Sequence, residues 1–212
     1  MVQKEGRAEG RPRGRPRGFD ADQVLDQARA VFWNQGYAAT SLDDLARATG
    51  LNRPSLYAAF GDKHALYLAA LDRSRREGIG ALTGALQLEQ PLRAVLGLIY
   101  DRTVEIYRRG SEGQRGCFLI GTAVTQAVDD PEARAMLARY IAEMDALFAA
   151  RFEREPEQLA GGISAAAAAS VATAAIHTLA VRARTGAGEE ALRAVGRATA
   201  DLICGKSSSP AP

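Results

Sequence analysis

The run NRPSLYAAF, residues 52–60, sets a guanidinium, a hydroxyl and a phenol within five positions, at Arg53, Ser55 and Tyr57. Groups of this kind hydrogen-bond to base edges, and the arginine fork matches a guanine edge through two parallel bonds. On a helix, Leu56 and Phe60 share the inward face at i and i+4, which turns Arg53, Pro54, Ser55 and Tyr57 outward. A short helix displaying them fits a major groove. Thr40, Ser41, Tyr57 and Lys63 carry hydroxyl, phenol and ammonium groups suited to flanking phosphates.

A second polyanion chemistry sits in the first eighteen residues. Lys4, Arg7, Arg11, Arg13, Arg15 and Arg17 stand there against Glu5 and Glu9, so this arm carries +4 in a chain whose total is +2, and the remainder carries −2. Gly and Pro recur too often for a helix, which predicts an extended, disordered arm. Residues 12–18, PRGRPRG, resemble an AT-hook core: the central glycine lets the backbone lie in a narrow A·T minor groove while Arg13 and Arg15 point along it. The alternative is a solvated basic tail that touches phosphates only. Both readings bring the arm to DNA.

Cys117 is the one nucleophile in a suggestive setting. It follows Arg115-Gly116 and opens a predicted helix, where the dipole and a nearby cation can lower a thiol pKa. A thiolate there would sense oxidants or electrophiles; the alternative is a small buried hydrophobe. Catalysis finds no footing. His64 and His177 lie far apart in the chain, no Cys/His spacing suits a metal, and no P-loop, nucleophile elbow or dinucleotide-binding glycine pattern occurs. A non-enzyme without cofactor or metal is expected. The two cysteines and the lack of an apolar N-terminal signal segment point to a reducing cytoplasm.

The elements that must position these groups are all helical, because Ala, Leu, Arg and Glu dominate and β-alternation is nearly absent. Asp20 is a predicted N-cap with Gln23 at N3 and a Phe19–Val24 staple; Val24, Leu25, Ala28, Val31 and Phe32 form the buried stripe of that first helix, and Asp22, Asp26 and Arg29 its solvated face. Ser41 caps a second helix with Asp44 reaching back, Thr49-Gly50 makes the turn, and Asn52 caps the third with Pro54 in its first turn. Gly61-Asp62 opens a long helix from Lys63. Further helices are predicted over about 91–109, 117–128, 131–154, to 184 and to 203, about nine in all. The uncharged stretch from Ala160 to Val181 is long enough to span a membrane, but its small residues favour a buried helix.

In exact wording, Gly36-Tyr37-Ala38-Ala39-Thr40-Ser41, Asp44-Leu45-Ala46, Gly50-Leu51-Asn52, and Ser55-Leu56-Tyr57 with Phe60, Lys63, Ala65 and Leu66 resemble the DNA-binding domain of TetR/AcrR bacterial transcriptional regulators. His64 departs from the pattern, since the family usually places an acid after the lysine. The resemblance is close over 19–66 and otherwise only that of a helical domain of suitable length. It implies a three-helix helix-turn-helix domain over 19–66, a larger helical bundle for effector binding and dimerisation over 67–205, and, outside it, the arm at 1–18 and a disordered tail at 206–212. It further implies a homodimer through the last two long helices, here with Ala165, Ala168, Ala169, Ala172, Ala175, Ile176 and Leu179 at helical spacing. A monomer core helix is the alternative for that stripe. A small-molecule effector is expected among Tyr100, Tyr107, Cys117, Phe118, Met144, Phe148 and His177. The resulting expectation is a repressor that binds a palindromic double-stranded DNA operator and is released by an effector. The alternatives are a constitutive or architectural DNA binder, and a thiol sensor acting through Cys117.

Overall fold

The structure is a computed structural model that describes residues 19–109 and 115–205. Arg13 and Arg15, and the arm and tail that flank the helices, lie outside the described residues. Within the described residues every regular element is helical: α1 (Ala21–Gln35), α2 (Leu42–Thr49), α3 (Arg53–Phe60), α4 (Lys63–Leu86), α5 (Leu92–Tyr107), α6 (Val124–Gln126), α7 (Pro131–Arg154), α8 (Ala165–Arg184) and α9 (Glu189–Cys204). The short helix expected over 117–128 instead opens with a π-helical turn, Leu119–Ala123, before α6. There the Thr122 hydroxyl donates to the Phe118 carbonyl at 2.8 Å and accepts from the Tyr67 phenol at 3.1 Å, which ties the turn to α4.

The local signals act as their chemistry requires. Asp20 accepts from the Asp22 and Gln23 amides, and Ser41 and Asp44 form a reciprocal capping box. Asn52 accepts from the Ser55 amide at 2.9 Å, satisfying an amide that the first turn leaves without a helical partner. Gly50 ends α2 in the left-handed region, with φ 67°. Val24, Ala28 and Phe32 of α1, Leu45 of α2, Leu56 of α3 and Leu66 of α4 close a small core. Tyr67 extends it, its ring centroid 5.2 Å from Phe32 and 4.8 Å from Tyr37.

The polar face of α1 is not simply solvated. Arg73 of α4 pairs with Asp22 at 2.5 Å and with Asp26 at 3.2 Å, and Arg29 pairs with Asp26 at 2.9 Å and with Glu77 of α4 at 2.5 Å. A periodicity argument sees only that these residues point away from the apolar stripe; here α4 covers that side. α4 itself runs unbroken from the small core into the bundle. His64, near its start, approaches Asp130 at 2.8 Å. Burial alone would raise the Asp130 carboxyl, yet the Ala133 amide and His64 outweigh it and hold that group below its usual range.

In the bundle, α8 packs chiefly on α7 and α9. It is long and apolar enough to cross a membrane by length and composition, and nine of its residues are buried in this packing. Those nine include Ala168, Ala169, Ala172, Ala175, Ile176 and Leu179, so the small-residue stripe serves the core of one chain and is not available to a partner. Small side chains there let α7 and α9 approach closely. The same logic fixes Gly196 of α9, where a Cβ would stand 2.7 Å from the Cβ of Tyr100 on α5.

Candidate nucleic-acid interface and ligand cavity

The outward face of α3 carries the groups its sequence promised. Leu56 seals against the core while Arg53, Pro54 and Tyr57 are exposed, Tyr57 by 48%, and Ser55 is partly exposed. Arg53 is not idle in the free molecule. Its Nε donates to Asp43 Oδ1 at 2.7 Å and its Nη2 to Oδ2 at 2.5 Å, tying the start of α3 to α2. The hydrogen bond from Arg53 is the largest influence holding the Asp43 carboxyl below its ordinary range. Asp43 thus holds Arg53 within the candidate interface, although the sequence offers only its acidic type, ten residues upstream, as a signal.

The phosphate candidates divide. Ser41 is exposed, with its hydroxyl 2.6 Å from Asp44 Oδ2. Thr40 is 2% exposed and its hydroxyl donates to the Gly36 carbonyl at 2.6 Å, so its side chain is a structural tie and not a contact group. Lys63 donates to the Tyr37 and Thr40 carbonyls at 3.0 and 2.8 Å, and its ammonium lies 4.3 Å from the Tyr37 ring centroid. Two of its three N–H donors are spent on the α1–α2 connection, which makes Lys63 chiefly an anchor for that corner. Buried hydroxyls and snorkelled ammoniums bond to backbone because an unpaired polar group costs more than the bond returns.

Behind this reading head lies a cavity of about 520 Å³, between α4, α5, α7 and the end of α1. That size falls in the range of drug-sized ligand sites. Of the seven expected effector contacts, Tyr107, Cys117, Phe118 and Met144 line it. The other three do not. Tyr100 is core against Gly196, Phe148 is fully buried beside Phe152 at 5.8 Å, and His177 sits on α8, where burial lowers its pKa against the opposing pull of Asp145. Sequence reasoning missed Trp33, Arg102, Ile106 and Tyr140. Trp33 comes from α1, and no helical period reports that its ring leaves its own domain. Its indole N–H donates to the Arg115 carbonyl at 2.9 Å, its ring lies 5.7 Å from Phe118, and its own carbonyl accepts from Arg184 of α8 at 3.1 Å.

Cys117 is 7% exposed, and burial pushes its thiol above the ordinary range, outweighing the nearby backbone amides and the Tyr107 phenol, which act to lower it. The expected lowering by a helix start and a neighbouring cation is overturned by desolvation, which favours the neutral thiol. Gly116 fixes this corner: its φ is 62° and a Cβ would lie 2.5 Å from the Ala180 carbonyl oxygen. Across the cavity, Tyr140 is 6% exposed, and its hydroxyl has no hydrogen-bond partner among the described residues. Within the described residues no group of three His, Cys, Asp or Glu side chains is arranged to hold a metal.

The model of "Bacterial regulatory proteins, tetR family" matches residues 24–70, the span of α1 to early α4. ComR of Escherichia coli K12, an HTH-type transcriptional repressor, is 36% identical over 113 residues, 52% of this chain and 53% of ComR. The uncharacterised HTH-type regulator YezE of Bacillus subtilis 168 is 35% identical over 147 residues, 66% of this chain and 64% of YezE. The chain thus spans between half and two thirds of these curated relatives. A double cysteine mutant of the TetR family regulator CifR, solved with 26-bp operator DNA, aligns over 88% of this chain and 98% of its own at 30% identity, with a TM-score of 0.73.

Proposed function

Because the chain belongs to the TetR family of DNA-binding transcriptional regulators, we propose that it is a ligand-responsive repressor: a homodimer binds a palindromic operator in the cytoplasm and an effector in the bundle releases it. The observation that carries the DNA half is α3, whose apolar side is sealed by Leu56 while Arg53, Pro54, Ser55 and Tyr57 remain available to a major groove. The arm, with Arg13 and Arg15, then extends the contact into the flanking minor groove. ComR is named as a repressor and CifR is solved on operator DNA, which supports reading this chain the same way.

Two copies are needed because one short helix reads too few bases for useful discrimination. The stripe of α8 that faces away from the core, Ala174, Thr178 and Val181, and the matching Ala194, Ala198 and Leu202 of α9, supply a surface for the second copy. Val181 is 55% exposed and Leu202 61%, an apolar patch suited to burial between chains. This stripe lies on a different face of α8 from the one expected in the sequence, because the core took the first one.

The cavity favours a responsive protein over a constitutive or architectural one. Its walls include Trp33 of α1 and Ser74, Gly78 and Leu82 of α4, so an occupant presses on the two helices that hold the reading head. An effector acts only through its different affinity for the two states, and a wall shared by both domains provides that difference. The thiol-sensor alternative loses the lowered thiol pKa on which it rested. The combined test is light scattering and operator binding of wild type and Ala174→Arg. A dimer that becomes monomeric and loses operator affinity supports the reading; an Ala174→Arg protein that stays dimeric and keeps its affinity contradicts it.

A further inference from the structure

The cavity is unusual in its charge. Its inner wall is apolar apart from Tyr107, Tyr140 and Cys117, with Leu82, Ile99 and Met144 among the rest. Around its opening stand Arg29, Arg102, Arg109 and Arg115, and Glu77 is the one acid among the described lining residues. Arg29 is matched by Asp26 at 2.9 Å and Glu77 at 2.5 Å, so Arg102, Arg109 and Arg115 leave the described lining cationic, in a chain whose residues after the arm carry −2 overall.

The neighbouring acids do not cancel it. Glu77 is already shared by Arg29 at 2.5 Å and Arg73 at 3.0 Å. On α5, Asp101 lies 2.6 Å and Glu105 3.7 Å from Arg193 of α9. On α4 and α7, Asp72 and Glu143 are taken by Arg75 at 2.9 and 2.6 Å. Arg102 and Arg109 make no ion pair among the described residues, and Arg115 lies over the Trp33 ring at 5.3 Å from its centroid. Like charges that have no counter-charge among the described residues repel one another at an apolar opening, and an anion entering there relieves the repulsion. Arginine forks also suit a planar carboxylate in particular, through paired N–H bonds.

We infer that the effector is an organic carboxylate with an apolar body: its head lies among Arg102, Arg109 and Arg115 and its body fills the wall formed by Leu82, Ile99, Phe118 and Met144. This rests on the ligand-responsive reading above and names the class of molecule that the same cavity selects. Trp33, stacked with Arg115 and forming part of the wall, is the residue through which the bound head would be felt in α1.

Octanoate and 1-octanol share a chain and differ in charge, so calorimetric titration of full-length, DNA-free protein with each separates head from body. Octanoate is expected to bind at least tenfold tighter than 1-octanol, with a preference that shrinks as salt is raised. In Arg102→Gln/Arg109→Gln, whose exposed side chains leave the core intact, the two affinities should converge to within about threefold while 1-octanol binding is unchanged. Equal or tighter binding of 1-octanol, a preference that survives the double substitution, or no saturable octanoate binding overturns the inference. A protein that binds operator yet ignores octanoate sinks this inference alone, and one that takes octanoate but no operator sinks the regulatory reading alone.

Discussion

Replacing Arg53 by lysine keeps the charge of α3 and removes its fork, which isolates what the fork does. In the free molecule Asp43 occupies one edge of the guanidinium, through Nε at 2.7 Å and Nη2 at 2.5 Å. Arginine has five N–H donors, so the opposite edge, formed by Nη1 and the second Nη2 proton, is left for a bidentate pair with a base. Asp43 therefore orients the reading edge at no loss of a base contact. A bidentate pair discriminates against a wrong base by roughly tenfold to a hundredfold, and a two-fold assembly applies that factor twice. Arg53→Lys should thus lower the ratio of operator to scrambled-duplex affinity by on the order of 10² to 10⁴, with the larger loss at guanine-containing sites. The salt slope should stay as it is, because the cation count is unchanged. Fluorescence anisotropy on both duplexes, from about 50 to 200 mM salt, reads the two quantities separately. An unchanged ratio would show that Arg53 reads no base, and a charge-removing Arg53→Gln that lowers the slope with the ratio intact would assign it to phosphate instead.

Three further outcomes follow from particular residues. Gly116→Ala forces a left-handed alanine and sets a Cβ 2.5 Å from the Ala180 oxygen; strain and displacement of roughly 2–4 kcal/mol should lower Tm by about 5–15 °C, and a Tm within a degree or two of wild type would remove the corner from the packing argument. Burial raises the Cys117 thiol pKa, so the reactive thiolate grows in only above the ordinary thiol range; alkylation of Cys117 in the folded protein should be slow near neutral pH and still rising above about pH 9, whereas a plateau near pH 7 would restore an activated thiolate. Deleting residues 1–18 removes six cations and should flatten the log K against log salt slope by about 2–5 units while sparing preference for the core site. An unchanged slope would mean that the arm never meets DNA.

What the sequence made legible was local. Asp20, Ser41 and Asn52 cap helices where their side chains can reach free amides, and each does so in the structure. Leu56 inward and Tyr57 outward follow from helical period alone. The harder cases are those where two elements meet. Period shows that Tyr100, Phe148 and Met144 all point inward, but only the packing of α5, α7 and α9 decides that Met144 meets a void and the other two meet side chains. Thr40 and Lys63 have the chemistry of phosphate contacts, yet the Thr40 hydroxyl and two of the three Lys63 donors are taken by carbonyls of the α1–α2 connection, whose position no sequence pattern reports. Trp33 escaped for the same reason: its ring serves a cavity built by helices that follow it by tens of residues.

The central claim is that α3 lies along base edges twice per assembly, and selection of bound duplexes from a random oligonucleotide pool by the full-length protein tests it against every possible operator at once. The expected result is enrichment of an inverted repeat, its half-sites one helical turn or a small multiple apart, that is lost from pools selected by Arg53→Ala/Tyr57→Ala. Recovery of no preferred sequence, or of the same repeat by wild type and the double variant, would contradict it.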